Sequence, residues 1–342
     1  MVTAEKSRID CRHIDVLDGI RAVSVIIVLI FHFWQQTWIF PVIKTPWLAF
    51  VGITKIDFSN FATVGYLFVD MMVLISGFLL FLPLMRSIIL GEEMSSWKNY
   101  ARRRIARIVP SYYFAVLLLF FASALPTGAY ATTADALKDL FAHLTFTQTL
   151  WVNTYIATPL DVVLWTVAIE VWFYVLFPFV AEFIKGPRNK NRQSFTPAYG
   201  IFFIFAVFNI INYVYTENFV LKGNVYLAMR INQFPAFLGV YSIGMLGASA
   251  FVLIAKNCRR SRIFNAVNTL FSVCGILLIV YLINDCVATQ ERQVWQVTER
   301  SKLAFVFMTF IITTALSSKW YRWLFSNKFM RCLLYTSPSP RD

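Results

Sequence analysis

Long apolar runs separated by short polar segments recur along the whole chain. A run of about 20 apolar residues crosses the hydrocarbon core of a bilayer as a helix. Spans of this kind are predicted at 20–40, 63–85, 108–126, 163–184, 199–215, 234–255, 265–284 and 302–318. The runs are continuous rather than alternating, so the pattern predicts an all-α, polytopic transmembrane helical bundle of about eight full spans and the start of a ninth.

Composition supports the membrane assignment. The chain of 342 residues is 58% hydrophobic and only 14% charged, whereas soluble domains carry about 25% charged residues. The first run is followed by bulky aromatic residues and not by a small-residue cleavage pattern. We therefore interpret it as a retained span and not as a signal peptide.

Positive charge is distributed unevenly among the polar segments. The net charge is +13, but the lysines and arginines lie mostly in clusters between alternate runs. By the positive-inside rule these clusters are cytoplasmic, so the amino terminus is predicted to be cytoplasmic as well. We expect a multi-pass protein of the plasma or inner membrane. Its lysines and arginines are expected to set the orientation of the spans, and no nucleic-acid partner is expected.

Two polar residues on the first run are costly to place in a membrane. Arg21 and His32 are eleven residues apart, which on a helix puts them within about 20° of one face and about 16 Å apart along the axis. The predicted topology places Arg21 near the cytoplasmic surface and His32 in the outer half. Such residues persist where they face a cavity or a partner, and a histidine there suits a general base. A structural histidine bonded to a neighbouring helix is the alternative.

Two carboxylates are predicted in the same outer half of the membrane. Asp70 lies in the second span, shortly before the small-residue step Ser76-Gly77, and Glu170 lies in the fourth. A carboxylate within a span needs a partner, so both are candidates to orient an imidazole or to bind a sugar hydroxyl. For Ser76-Gly77, close helix packing is the favoured interpretation.

A basic cluster precedes the third predicted span. Arg104 and Arg107 are three residues apart and share a face if the segment is helical. Such a pair is able to hold phosphate groups through forked hydrogen bonds. Anchoring of the topology, which any basic cluster provides, explains it at least as well from the spacing alone.

The other polar residues give weaker signals. The cysteines have neither a metal-ligand spacing nor a disulfide framework, so no metal site is predicted and all are expected to be free thiols. His13 and His143 lie outside the spans and are interpreted as structural or surface residues. The longest external loop, 127–161, contains three residues able to contact a sugar: Trp151, Asn153 and Tyr155. An interfacial aromatic belt is the favoured interpretation of these three.

Four segments, in this order, resemble acyltransferase family 3, the multi-spanning membrane acyltransferases that modify cell-surface glycans. They are 17–21 (LDGIR) with His32, 69–79 (VDMMVLISGFL), 104–110 (RIARIVP) and 165–178 (WTVAIEVWFYVLFP). The resemblance is good over about residues 14–180 and is limited to hydropathy beyond them. Two methionines follow Asp70 where the family has phenylalanines, and Val171 and Trp172 stand where it often has a polar pair.

The resemblance implies an O-acyltransferase that moves an acyl group, most often acetyl, from cytoplasmic acyl-CoA to a hydroxyl of a surface carbohydrate or lipid-linked glycan. The site residues it implies are His32, Asp70 and Glu170 for catalysis, and Arg21, Arg104 and Arg107 for the CoA phosphates. His32 would be the general base, with a carboxylate orienting it or the sugar. The distance of about 16 Å between Arg21 and His32 is comparable to the reach of the pantetheine arm. Direct transfer and a covalent acyl-enzyme both remain open.

Two other interpretations come from different classes of protein. A transporter or channel would use the same arginine, histidine and carboxylates as an ion relay, although these residues cluster at a few points in three spans. A structural partner of a glycan-synthesis complex is the third. We expect one membrane domain over 1–335 that lacks the last two of the family's usual ten helices. Two prolines stop the ninth run, and 336–342 is expected to be an irregular tail of foreign sequence. A native end packed at the membrane surface is the alternative.

Overall fold

A computed structural model describes residues 9–11, 14–186, 197–222, 226–328 and 330. Within them, 7 helices are long and apolar enough to cross a membrane, or up to 8 if the bent pair Arg292–Leu316 and Lys319–Ser326 is one span. The predicted class, a polytopic helical membrane protein, is confirmed. The α-helices are α1 (Asp15–Thr37), α2 (Ser59–Thr63), α3 (Leu67–Leu90), α4 (Trp97–Leu119), α5 (Thr133–Leu144), α6 (Val152–Tyr155), α7 (Trp165–Lys185), α8 (Pro197–Tyr215), α9 (Leu227–Ile231), α10 (Phe234–Asn257), α11 (Arg262–Ala288), α12 (Arg292–Leu316) and α13 (Lys319–Ser326).

Shorter elements join these helices. Strands β1 (Val42–Lys44) and β2 (Lys55–Asp57) form an antiparallel hairpin. A 3₁₀ turn, Pro46–Val51, lies at the tip of the hairpin. The π-helical turns Phe120–Ala124 and Thr216–Val220 continue α4 and α8.

The chain divides into two compact units. Among the described residues, one unit contains those up to Leu82 and those from Ile243 onward, and the other contains those from Pro83 to Ser242. The boundaries between them fall inside α3 and α10.

Close helix packing builds the first unit. The hydroxyls of Ser272 in α11 and Thr314 in α12 share a hydrogen bond of 2.6 Å, and both residues are fully buried. Gly247 in α10 lies directly against Met308 of α12, because a Cβ at this glycine would lie 1.8 Å from the methionine Sδ. Small residues and hydroxyls let membrane helices approach and bond in this way.

A folded connection between α4 and α7 is the main feature of the second unit. Tyr112 of α4 stacks on Phe146 with ring centroids 4.7 Å apart, and its hydroxyl donates to the carbonyl oxygen of His143 at 3.1 Å. Gln148 donates to the same hydroxyl at 3.0 Å. His143 is itself buried and its Nδ1 lies 3.2 Å from a carboxylate oxygen of Asp139. The connection predicted as a loop is therefore packed onto the unit, and His143 is structural.

Several element boundaries differ from the predicted spans. Helix α4 begins at Trp97, where the Ser96 hydroxyl accepts from the amide of Asn99 at 3.4 Å, so the basic cluster is inside the helix and not in a loop. Helix α1 ends at Thr37, because Trp38 adopts a left-handed conformation with φ of 58°. Apart from residue 330, the predicted start of a ninth span and the tail at 336–342 lie outside the described residues, as does His13.

Candidate functional site

Arg21 and His32 lie on one unbroken helix, α1. The eleven-residue separation therefore corresponds to about 16 Å along the axis, as the spacing predicts. Arg21 is half-buried, and its guanidinium donates to the Ser76 hydroxyl of α3 at 3.5 Å. The structure thus brings together two of the segments singled out in the sequence, 17–21 and 69–79.

Glycines hold the helices around Arg21. A Cβ at Gly19 would lie 1.8 Å from the carbonyl oxygen of Phe325, so only glycine admits α13 at this point. A Cβ at Gly244 of α10 would lie 2.6 Å from the carbonyl oxygen of Leu74 in α3. The close approach next to Ser76-Gly77 supports the packing interpretation of that step. Within the sequence 18–21 (DGIR), Gly19 therefore serves helix packing, whereas Arg21 is the candidate for function.

His32 is half-buried in an aromatic environment. Its ring centroid lies 5.1 Å from that of Phe31, which in turn contacts Trp34 and Tyr66. The imidazole makes no hydrogen bond to any residue that the structure describes. The alternative interpretation, a structural histidine that is bonded to a neighbouring helix, has no such hydrogen bond among the described residues. Its ring nitrogens are able to accept a proton from a substrate or to bond one.

Asp70 lies in a closed environment. The carboxylate is 0% exposed, and it forms an ion pair of 3.3 Å with the Nε of Arg300 in α12, which is 3% exposed. Gln296, one turn earlier in α12, also lies near the carboxylate. Among the described residues no hydrogen bond or ion pair joins Asp70 to His32. Asp70 therefore reaches neither the imidazole nor solvent in this conformation.

Arg300 is the partner of Asp70 that the sequence interpretation missed. The predicted span at 302–318 begins after it, whereas α12 begins ten residues before that span, at Arg292. The available signal was the rule that a buried membrane carboxylate has a partner of opposite charge. That rule requires a cation, but spacing along the chain does not identify which one.

Arg104, Arg107 and Glu170 meet in the second unit. Trp97 at the start of α4 donates to Glu182 near the end of α7 at 2.8 Å, so the two helices run antiparallel with known register. Arg104 is seven residues further on, about 10 Å along α4. This register brings it level with the middle of α7, near Tyr174.

Aromatic rings surround the Arg104 guanidinium. Its Cζ lies 4.9 Å from the centroid of Tyr174 and 5.6 Å from that of Tyr100, the geometry of cation–π contacts. The hydroxyl of Tyr174 donates to the carboxylate of Glu170, one turn away. Arg107 also lies within electrostatic reach of this hydroxyl. The structure therefore joins two further predicted segments, 104–110 and 165–178, through one tyrosine.

Packing beneath this cluster fixes the tyrosine in place. Phe173 stacks on the fully buried Tyr241 with centroids 3.9 Å apart and an interplanar angle of 11°. The hydroxyl of Tyr100 donates to the backbone carbonyl of Tyr174 at 3.2 Å. Glu170 and Arg104 are both half-buried. A polar cluster that packs against buried aromatic rings, and whose charged groups are only half-buried, suits the binding of a polar ligand.

The aromatic residues of the α4–α7 connection have different surroundings. Trp151 and Asn153 are exposed. Tyr155 is buried, and its hydroxyl accepts from Asn232 at 2.8 Å. Burial raises the pKa of Tyr155 to about 12, so this phenol is neutral near pH 7. Tyr155 therefore supports the fold of the connection and does not face a ligand.

Metal ligands are not grouped in the described part of the chain. Across 9–11, 14–186, 197–222, 226–328 and 330, no three histidine, cysteine, aspartate or glutamate residues are placed to hold an ion. The cysteines described there are free thiols.

Comparisons with known proteins support the family resemblance that was stated from the four segments. A family model described as an acyltransferase domain matches residues 14–337. The O-acetyltransferase OatA of Staphylococcus aureus (strain NCTC 8325 / PS 47) is 28% identical over 201 residues, which are 54% of this chain and 28% of OatA. The putative acetyltransferase ORF330 of Acidianus two-tailed virus is 24% identical over 229 residues, 64% of this chain and 58% of the viral protein. No solved structure matches the chain. The chain thus spans about a quarter of the length of OatA.

Proposed function

The chain belongs to the family of membrane proteins with this acyltransferase domain, and on that premise we propose that it transfers an acyl group, specifically acetyl, to a hydroxyl group. The donor in this proposal is acyl-CoA in the cytoplasm. The acceptor is a glycan or glycolipid hydroxyl on the opposite side of the membrane. The names of the relatives support acetyl as the group transferred.

One observation carries the proposal: Arg21 and His32 share one continuous helix at about 16 Å separation. A guanidinium is suited to the phosphates of CoA. An imidazole at a distance of about one pantetheine arm is suited to take the proton of the acceptor hydroxyl. The separation thus allows the nucleotide to stay at a membrane surface while the thioester reaches His32.

The chemical role of His32 in this proposal is that of a general base. A ring nitrogen takes the proton of the acceptor hydroxyl as its oxygen attacks the thioester carbonyl. The new ester C–O bond forms and the C–S bond breaks. The proton held by the imidazole then passes to the departing CoA thiolate, so the histidine returns to its starting state.

Arg21, Arg104 and Arg107 are proposed to bind the CoA phosphates. Arg104 is half-buried over two tyrosine rings, which restrict the guanidinium before a ligand arrives. Restriction of a binding group lowers the entropic cost of binding. Glu170, held by Tyr174, is proposed to orient the imidazole or the acceptor.

Asp70 is assigned a positioning role and not contact with substrate. Its ion pair with Arg300 links α3 to α12, and α3 presents Ser76 to Arg21. Loss of this ion pair is expected to displace Arg21 and to have a smaller effect on the proton transfer at His32.

Membranes containing the chain, incubated with radiolabelled acetyl-CoA, provide the test. The wild type should release CoA and transfer label. His32→Gln should lower the rate by about 10²–10⁴-fold, the usual contribution of a general base. Gln35→Ala, an exposed polar change on the same helix, is the matched control and should keep the wild-type rate.

Two results would contradict the proposal. CoA release by His32→Gln at the wild-type rate would remove the histidine from the mechanism. A wild type that releases no CoA but carries protons across proteoliposomes, with His32→Gln blocking that flux, would establish a relay instead.

A further inference from the structure

The hairpin segment, residues 38–58, is the most exposed apolar surface near α1. Phe50 is 83% exposed and Trp47 is 64% exposed. The other large apolar side chains exposed in this segment are Trp38, Ile39, Phe40, Val42, Ile43, Val51, Ile53, Ile56 and Phe58. A soluble surface seldom carries so many together, and such patches usually mark a membrane or protein contact.

The two faces of the hairpin differ in polarity. In its register Ile43 pairs with Ile56, while Lys44 pairs with Lys55. Because successive side chains of a strand point to opposite faces, the isoleucine pair lies on one face. The lysine pair lies on the other face, together with the third cross-strand pair, Val42 and Asp57. The segment is therefore amphipathic, with the aromatic tip at its end.

The backbone of the tip bonds to itself. The amide of Thr45 donates to the carbonyl of Thr54 at 2.9 Å, and its hydroxyl donates to the carbonyl of Ile53 at 3.0 Å. The amide of Ile53 donates to the carbonyl of Leu48 at 3.2 Å. Thr45 is fully buried within an otherwise exposed segment. Internal bonding of this kind is what a backbone needs near hydrocarbon, where water is scarce.

The segment is continuous with a membrane-spanning helix. The amide of Trp38 donates to the carbonyl of Trp34 at 2.7 Å, and its φ of 58° turns the chain away from the axis of α1. The amide of Phe58 donates to the carbonyl of Pro41 at 3.0 Å and closes the base of the hairpin. The segment thus starts at the Thr37 end of α1, and its base closes next to that end.

We propose that the hairpin segment lies in the membrane–water interface and binds lipid. Ile43, Ile56 and the tip face the acyl chains, while Lys44 and Lys55 face lipid phosphates. Tryptophan at the interface and lysine directed to the headgroups are the usual anchors of such segments. The partner is the bilayer next to the Thr37 end of α1, and the inference does not depend on acyl transfer.

Fluorescence quenching by nitroxide-labelled lipids tests the proposal. All five cysteines are replaced, the buried Cys11 and Cys286 by alanine and the other three by serine. A single cysteine is then introduced as Ile43→Cys, Phe50→Cys or Lys44→Cys. Each variant is labelled with the environment-sensitive dye NBD and reconstituted in phosphatidylcholine vesicles. Positions 43 and 50 should show blue-shifted emission and lose most of it to a nitroxide placed at a shallow acyl carbon, about 5–10 Å below the headgroups.

Lys44→Cys is the matched control, since it is adjacent to position 43 and similarly exposed but lies on the other face. It should respond to a headgroup nitroxide and much less to an acyl-chain nitroxide. Equal acyl-chain quenching at 43 and 44 would overturn the amphipathic arrangement. An absence of quenching at 43 and 50 would overturn lipid binding and favour a protein partner on this surface.

The charged face has its own test. Addition of phosphatidylglycerol to the vesicles should increase acyl-chain quenching at position 50. Lys44→Gln with Lys55→Gln should abolish that increase while the quenching in phosphatidylcholine stays. A response to phosphatidylglycerol unchanged by the double substitution would show that the two lysines do not contact the lipid phosphates.

Discussion

Asp70 and Glu170 differ in the partners that surround each carboxylate. Asp70, in the first unit, is fully buried and faces the guanidinium of Arg300. Glu170, in the second unit, is half-buried and accepts from the hydroxyl of Tyr174, with Arg104 held over the same ring. One carboxylate is closed off from solvent beside an opposite charge, and the other is bonded to a phenol hydroxyl and remains partly accessible.

The difference separates a stabilising role from a chemical one. Removal of one partner of a fully buried ion pair strongly lowers the stability of the folded protein, because the other charge is left buried and unpaired. A half-buried carboxylate remains within reach of a ligand that enters from solvent. Changes at the first site should therefore affect unfolding, and changes at the second should affect the rate of acyl transfer.

The largest effect is expected for Arg300→Met. It should lower the stability of the folded protein by about 3–5 kcal/mol, because Asp70 is left as an unpaired buried charge. Thermal unfolding of the detergent-solubilised protein measures the change. The double variant Asp70→Leu with Arg300→Met should recover most of the loss, and a double variant as unstable as Arg300→Met would show that the pair is not the cause.

Glu170→Gln is expected to act on rate instead. The change removes the negative charge but keeps an oxygen that accepts from Tyr174, so it loses part of the about 1.5–3 kcal/mol of a hydrogen bond to a charged group. The rate of CoA release should fall by up to about a hundredfold. The unfolding temperature should change little, because the side chain is half-buried. A large loss of stability with an unaltered rate per folded molecule would reverse the assignment of the two carboxylates.

Gly19→Ala tests the packing that places Arg21. The added Cβ would lie 1.8 Å from the Phe325 carbonyl oxygen, and overpacking of this kind costs about 1–3 kcal/mol. Gly275→Ala is the matched control, since its Cβ would lie 3.2 Å from the Phe310 Cβ. Thermal unfolding should rank Gly19→Ala well below Gly275→Ala. Equal midpoints would mean that α13 moves away from α1 without cost.

Tyr174→Phe separates the ring from the hydroxyl. The phenylalanine keeps a face for Arg104 but loses the bond to Glu170, a hydrogen bond to a charged group worth about 1.5–3 kcal/mol. Kinetics with acetyl-CoA should show a lower kcat with a nearly unchanged KM. A rise in KM alone would indicate that the hydroxyl serves the donor site and not the orientation of Glu170.

Arg104→Lys should have the smallest effect. Lysine keeps the charge but loses the flat stacking of guanidinium on Tyr174 and Tyr100, worth about 0.5–1 kcal/mol. The proposal predicts a KM for acetyl-CoA raised a few-fold at constant kcat. A fall in kcat with no change in KM would argue against phosphate binding by this residue.

The fold class and the Arg21–His32 geometry were predictable because both depend on local periodicity. Apolar runs of sufficient length form spans whatever their neighbours are, and eleven residues on a helix have a fixed rise. The start of α4 was predicted too late, since a helix cap at Ser96 and several arginines precede the apolar run. The hairpin at 38–58 was partly included in the first span for the opposite reason, because its residues are as apolar as those of α1.

The sequence by itself determined that the chain crosses the membrane repeatedly and that its four segments resemble those of the acyltransferase family. It also determined that Arg21 and His32 share a helix. The tertiary structure alone decided that Asp70 faces Arg300, that Tyr174 links Glu170 to Arg104, and that Gly19 admits α13. The physical reason is distance along the chain. Helical periodicity relates residues within a few turns, whereas the partner of a buried charge comes from whichever helix packs against it.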